Sequence, residues 1–168
     1  MADFHMSGDG QVHTTVGASA AAPVGTSVAG SAVAHTKGSW VSLGTTGNES
    51  GLLVVHVHGA VSWTAPGSPP AQVISLIDIG VDAGTTTAIV PNLLAYHPSD
   101  LVGDPLTASF CLPVNVPTGS ALYARCQSAD ANAVTLGVSA SLAHCGWGSS
   151  SAPQRVEALG VSAGSSDG

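Results

Sequence analysis

Two histidines two residues apart raise the question of chemistry first. His56 and His58 fall in the run LLVVHVHGAVSW, and on an extended strand side chains at i and i+2 point the same way, about 7 Å apart along the chain. Two imidazoles at that separation can close around one metal ion. A complete site takes further ligands, and the donors on offer are Asp78, Asp82, His97 and His144, none of them placed by spacing. The simpler reading puts both histidines on a polar or intersubunit face, where titration near neutral pH would make assembly pH-sensitive. No metal or other cofactor is assigned, and His56 and His58 stand only as candidate ligands.

The remaining reactive groups point away from catalysis. Asp78 and Asp82 in DIGVDAG lack the register and the distal Glu of an acidic calcium loop, so they read as turn chemistry, with Gly80 and Gly84 permitting the bends. Serines are many, but no G-x-S-x-G elbow is present. His144 and Cys145 are adjacent and would face opposite sides of any strand. Glu49 and Glu157 are the only glutamates, both in presumed loop or tail, so a paired-carboxylate hydrolase is not indicated. Lys37 follows no phosphate-cradling glycine motif. The three cysteines, Cys111, Cys126 and Cys145, are odd in number and lack C-x-x-C spacing. They read as buried free thiols, with Cys111 and Cys126 on two neighbouring strands where they could face each other. The expectation is a protein that is not an enzyme.

Composition restricts the partners. The 168 residues are 44% hydrophobic, 4% aromatic and 8% charged, against a usual charged fraction of roughly 25%. Lys37, Arg125 and Arg155 are the only Lys or Arg residues, and the net charge is −7. So few cations cannot neutralise many phosphates, so direct nucleic-acid binding is not expected. No apolar run approaches the ~20 residues that span a membrane, and MADFHMSGDG is not a secretory signal. These features predict a soluble product made in the cytoplasm, and Asn48-Glu49-Ser50 is discounted as a glycosylation site.

Strands and turns must position whatever these residues do. Residues 73–128 form the centre of the chain, with aliphatic runs of strand length between Pro, Gly, Asp and Ser clusters. Strands are expected at 73–81 and 87–94, around the turn Asp82-Ala83-Gly84, and at 106–116 and 121–128, around Pro117-Thr118-Gly119-Ser120. The second turn predicts a hairpin, since Pro presets φ and Gly supplies the left-handed position. Further strands are read at 39–43, 52–63 and 133–142, with a bulge or kink at Gly59. PNLLAYH is long enough for one helical turn. Leu53, Val55 and Val57, with Ile74 and Leu76, are the expected inward sets.

Residues 1–36, built from Gly, Ala, Ser, Thr and Val, read as an extended N-terminal arm. Residues 37–143 form the body and 144–168 a Gly/Ser-rich C-terminal extension. Deleting 1–36 is expected to leave the body folded. Many short strands with Gly/Pro turns and no internal repeat predict an all-β fold: an antiparallel, jelly-roll-like β-sandwich of about seven or eight strands with N- and C-terminal arms.

The order and spacing of HTKGSWVSL, LIDIGVDAG, IVPNLL and LPVNVPTGSALYARCQS resemble a family of small structural proteins of tailed bacteriophages, over residues 35 to 142. Thr85-Thr86 stands where similar proteins tend to carry an acidic residue. The resemblance implies a virion component, in first place a capsid decoration or cement protein on the outside of the major capsid protein's shell. It would be a homo-oligomer, its weak arms made effective by multivalency. Alternatives are a protein associated with tail, baseplate or fibre, contacting tail proteins, and a receptor- or carbohydrate-binding sandwich using Trp63, Tyr96 or Trp147. The candidate contact residues are Phe4, His5, Val12 and Val16 on the arm, with Trp63 and Trp147.

Overall fold

The computed structural model describes residues 14–18, 25–46, 51–63, 73–82, 86–97, 107–129 and 134–143. They form nine strands and no helix. The strands are β1 (Thr14–Val16), β2 (Thr26–Ala29), β3 (Val41–Thr45), β4 (Leu52–Trp63), β5 (Val73–Asp82), β6 (Thr87–His97), β7 (Thr107–Leu112), β8 (Ala121–Ser128) and β9 (Val134–Ala143). All pair antiparallel in two sheets. One sheet runs β7-β4-β9, with β1 and β2 along the far side of β9, and the other runs β3-β8-β5-β6.

The two sheets are packed face to face by the period of two. Leu53, Val55 and Val57 of β4 turn inward with Leu136, Val138, Ala140 and Leu142 of β9, meeting Ile77 and Ile79 of β5 and Leu122 and Ala124 of β8 in one buried cluster. The inward set on β4 is as expected. On β5 it is not: Ile77 and Ile79 face the other sheet, whereas Leu76 is fully buried yet stands outside that cluster. Alternation puts Leu76 with Asp78 and Gly80 on the opposite face, which the segment 30–40 covers. A uniformly apolar strand carries no local mark of which face looks inward, because both are buried.

Three further expectations are corrected. The stretch 106–116 is not the hairpin partner of 121–128: β7 pairs with β4, β8 with β3 and β5. The turn forms, with Gly119 at φ 74° and Ser120 N–H donating to the Pro117 carbonyl. It ends a crossing from one sheet to the other, in which Val114 and Val116 are buried. Cys111 and Cys126 accordingly lie in different sheets, the first exposed and the second buried, both free thiols. PNLLAYH makes no helical turn and continues β6. The bulge foreseen at Gly59 is present as a register shift between His58 and Ala60 against β9.

The front of the chain is also more than an arm. β1 and β2 pair with β9, and Val16 and Val28 are 7% and 0% exposed in the core. Small residues leave this segment little apolar area of its own, but an open edge on β9 lets its backbone complete a sheet. Deleting 1–36 therefore removes two strands from the fold. The C-terminal extension, 144–168, lies outside the described residues.

The thiols supply a check on this arrangement. Burial pushes the Cys126 thiol up to about 12, and its Sγ contacts the Val28 carbonyl at 3.5 Å. With iodoacetamide at pH 8, peptide mapping should find Cys111 alkylated and Cys126 unmodified until the chain unfolds, since the thiolate is the nucleophile.

Candidate functional site

The covered face of the second sheet holds the most elaborate polar construction among the described residues. It is built from the segment 30–40 upward. Gly30 N–H donates to the Val134 carbonyl of β9, while His35 and Gly38 N–H groups donate to the Ser128 and Cys126 carbonyls of β8. The segment thus leaves the first sheet and continues along β8 on the line that β3 then occupies. Gly38 is required where it crosses itself, because a Cβ there would lie 2.4 Å from the Ala29 carbonyl oxygen. Fixed in this way, Lys37 and Trp40 lie over β5 and β8.

Beneath them sits Asp78, 2% exposed. Its Oδ1 accepts hydrogen bonds from Lys37 Nζ at 2.8 Å and from the Asn92 backbone N–H at 2.8 Å, and its Oδ2 accepts one from Arg125 Nε at 2.8 Å. Lys37 Nζ also donates to the Leu76 carbonyl at 3.2 Å. Asp78 and Arg125 are directly opposite in the β5–β8 register. The Asn92 contact has a different origin. Pairing of β5 with β6 shifts between Ile77 and Ile79, whose partners are Leu93 and Val90, leaving Pro91 and Asn92 opposite Asp78. Pro91 has no N–H for the ladder, and Asn92 at φ 55° turns its own toward the carboxylate.

The Arg125 guanidinium lies 4.4 Å from the centroid of the Trp40 ring, a stacking that adds about 0.5–1 kcal/mol at a partly exposed position. Trp40 in turn rests on Gly80. A Cβ at Gly80 would come within 2.9 Å of Trp40 Cη2 and of Thr86 Cγ2. Gly80→Ala is expected to lift the indole from the guanidinium and to destabilise the protein by about 1–3 kcal/mol, the usual result of overpacking. Thermal unfolding with near-ultraviolet circular dichroism would show both effects.

Electrostatics favour the ionised carboxylate. Burial by itself would raise the Asp78 pKa, but hydrogen bonds from Lys37 and from Asn92 N–H, the charge of Lys37 and the bond from Arg125 outweigh it and hold the carboxyl below its ordinary value. Burial lowers the Lys37 pKa despite its contact with Asp78. Two of the chain's three cations therefore meet at one carboxylate, where they hold four chain segments together. Asp78 is thereby engaged by cations of the protein itself, on a strand of the sheet that does not carry His56 and His58.

His56 and His58 stand on β4 in the other sheet, on the side away from Val55 and Val57. His56 Nδ1 shares a 3.0 Å hydrogen bond with Ser109 Oγ of the neighbouring β7. Of the further donors considered for a metal, Asp82 is on β5 and lies 3.4 Å from the Tyr123 hydroxyl. His97 ends β6, and His144 is outside the described residues. Among the described residues no three His, Cys, Asp or Glu side chains come together. Of the candidate contact residues, Val16 is corrected to a core position by its pairing with Ala140. Trp63 closes β4 opposite Val134, with its side chain outside the described residues, as are Phe4, His5, Val12 and Trp147. No described helix is long and apolar enough to cross a membrane.

Reading the sequence for chemistry passed over the Asp78 cluster, although a signal was available. An aspartate within the apolar run VISLIDIG needs a charged or hydrogen-bonding partner if that run is buried on both faces. With only three Lys or Arg residues in the chain, the choice of partner was short. No protein-family model matches the chain, and no curated protein matches it.

Proposed function

We propose that this chain is a non-enzymatic structural protein of a tailed-phage particle, a decoration or cement protein on the outside of the capsid shell. Its two packed sheets would form a jelly-roll-like β-sandwich, with the chain ends serving attachment to the major capsid protein. The observation that carries this reading is the convergence at Asp78. The stretches on which the phage resemblance rests, HTKGSWVSL, LIDIGVDAG, IVPNLL and LPVNVPTGSALYARCQS, supply Lys37 and Trp40, Asp78 and Gly80, Asn92, and Arg125. The four stretches thus meet in one physical unit, the clamp that fixes the second sheet. The net charge of −7, with two cations already engaged, suits an exterior position away from DNA.

Quantitative mass spectrometry of purified virions, normalised to the major capsid protein, tests the proposal. A ratio of one copy per capsid subunit, or a fixed simple fraction of that, supports a shell component. A ratio of only a few copies per hundred capsid subunits would replace it with a tail, baseplate or fibre position, and absence from the particle would end the virion reading.

A further inference from the structure

The described residues leave three large hydrophobic side chains exposed, Val33, Leu94 and Tyr96. Two of the three lie on β6. This strand pairs with β5 on one side, and no described strand pairs with its other side. An open edge of that kind presents a row of backbone donors and acceptors that will take up another strand unless something blocks it.

The two halves of β6 differ in this respect. Its first half is blocked by Pro91, which lacks an N–H, and by the bulge that turns the Asn92 N–H onto Asp78. Beyond the bulge, Leu93, Leu94, Ala95 and Tyr96 have neither proline nor glycine nor charge. Leu93 and Ala95 are buried against the other sheet, while Leu94 and Tyr96 are 49% and 50% exposed on the outer face. Among the described residues, an unpaired edge and an apolar row therefore coincide on one short segment.

We propose that this half of β6 pairs antiparallel with the same segment of a second copy across a two-fold axis, joining two four-stranded sheets into one of eight strands. Three features select a second copy as the occupant. A segment laid antiparallel on itself meets its own side chains, and the neutral, apolar pair Leu94 and Tyr96 is compatible with itself. Two chains of charge −7 repel, and they approach at least cost along an edge that carries no charge. The opposite edge of the same sheet, β3, has five residues and a register shift between Ser42 and Gly44. It is a poor acceptor for β6, so pairing closes at two copies instead of propagating head to tail. The inference stands on this edge alone and not on the phage assignment, so either can fail without the other.

Sedimentation velocity of the full chain over a dilution series, with hydrogen exchange read by mass spectrometry, tests it. The wild type is expected to reach twice the 16.4 kDa chain mass, with amides at 93–97 protected in the dimer and exchanging faster on dilution. Leu94→Lys and Tyr96→Lys should each abolish the dimer with unchanged far-ultraviolet circular dichroism, since each would bury an unpaired ammonium against the apolar row of the second copy. Val33→Lys should leave it intact. A wild type at single-chain mass, a larger closed ring, or a dimer that survives both β6 substitutions would overturn the proposal. Should either variant unfold, fast exchange at 93–97 in the wild-type dimer would overturn it equally.

Discussion

Asp78→Ala is expected to lower the unfolding free energy by about 3–5 kcal/mol, the range found when one partner of a buried ion pair is removed. The substitution strands the Lys37 ammonium, whose side chain is 10% exposed. It also frees Arg125 Nε and leaves the Asn92 N–H without its acceptor. If the segment 30–40 swings Lys37 out to water, the cost falls to the lower end, and the gain then appears as faster amide exchange at 35 and 38. Lys37→Met should cost less, because Asp78 keeps Arg125 and Asn92 as donors. The ordering Asp78→Ala, then Asp78→Asn, then Lys37→Met in urea unfolding is the quantity to measure. Equal effects for the first and last would mean that the carboxylate is not the hub.

The same cluster fixes a pH dependence. The folded pKa of Asp78 lies below its unfolded value of about 3.9. Above about 3.9 the carboxylate is ionised in both states and its stabilisation is fully present. As pH falls through the lower folded value the native state also takes up the proton, and the contribution disappears. Wild-type stability should therefore decline on the acid side more steeply than that of Asp78→Asn, the two curves converging at the lowest pH. Parallel curves would assign the acid sensitivity to other carboxylates.

Leu53→Ala is the second large effect, at about 2–5 kcal/mol. Leu53 is fully buried, and its strand neighbours in register are Leu112 on β7 and Leu142 on β9. A cavity there opens between three paired strands and the facing sheet, where little can collapse to fill it. The change should shift the urea midpoint with the slope unchanged. By contrast, Leu94→Ala, on the outer face of β6, should alter the stability of the isolated chain by no more than about 0.5 kcal/mol. Comparable losses at the two positions would contradict the assignment of inner and outer faces.

The sequence by itself determined most elements of the body, because their signals are local. Alternation in LLVVHVHGAVSW marks β4 and its inner face, Gly59 marks the bulge, and Pro117 to Ser120 mark a turn. Each follows from the conformations open to a few adjacent residues. Only the tertiary structure decided which strands pair. The Pro117 turn would serve a hairpin equally well, but Val114 and Val116 are drawn into the space between the sheets. That carries the chain across, and β8 comes to rest between β3 and β5. The short strands β1 and β2 became sheet because β9 offered them an edge, a condition set more than a hundred residues away. Asp78 shows the division most clearly. In DIGVDAG its local surroundings read as a turn, yet its role is set by Lys37, Asn92 and Arg125, which lie 41, 14 and 47 residues away along the chain. Pairing and charge compensation depend on proximity in space, so neither leaves a periodic trace in the residues alongside.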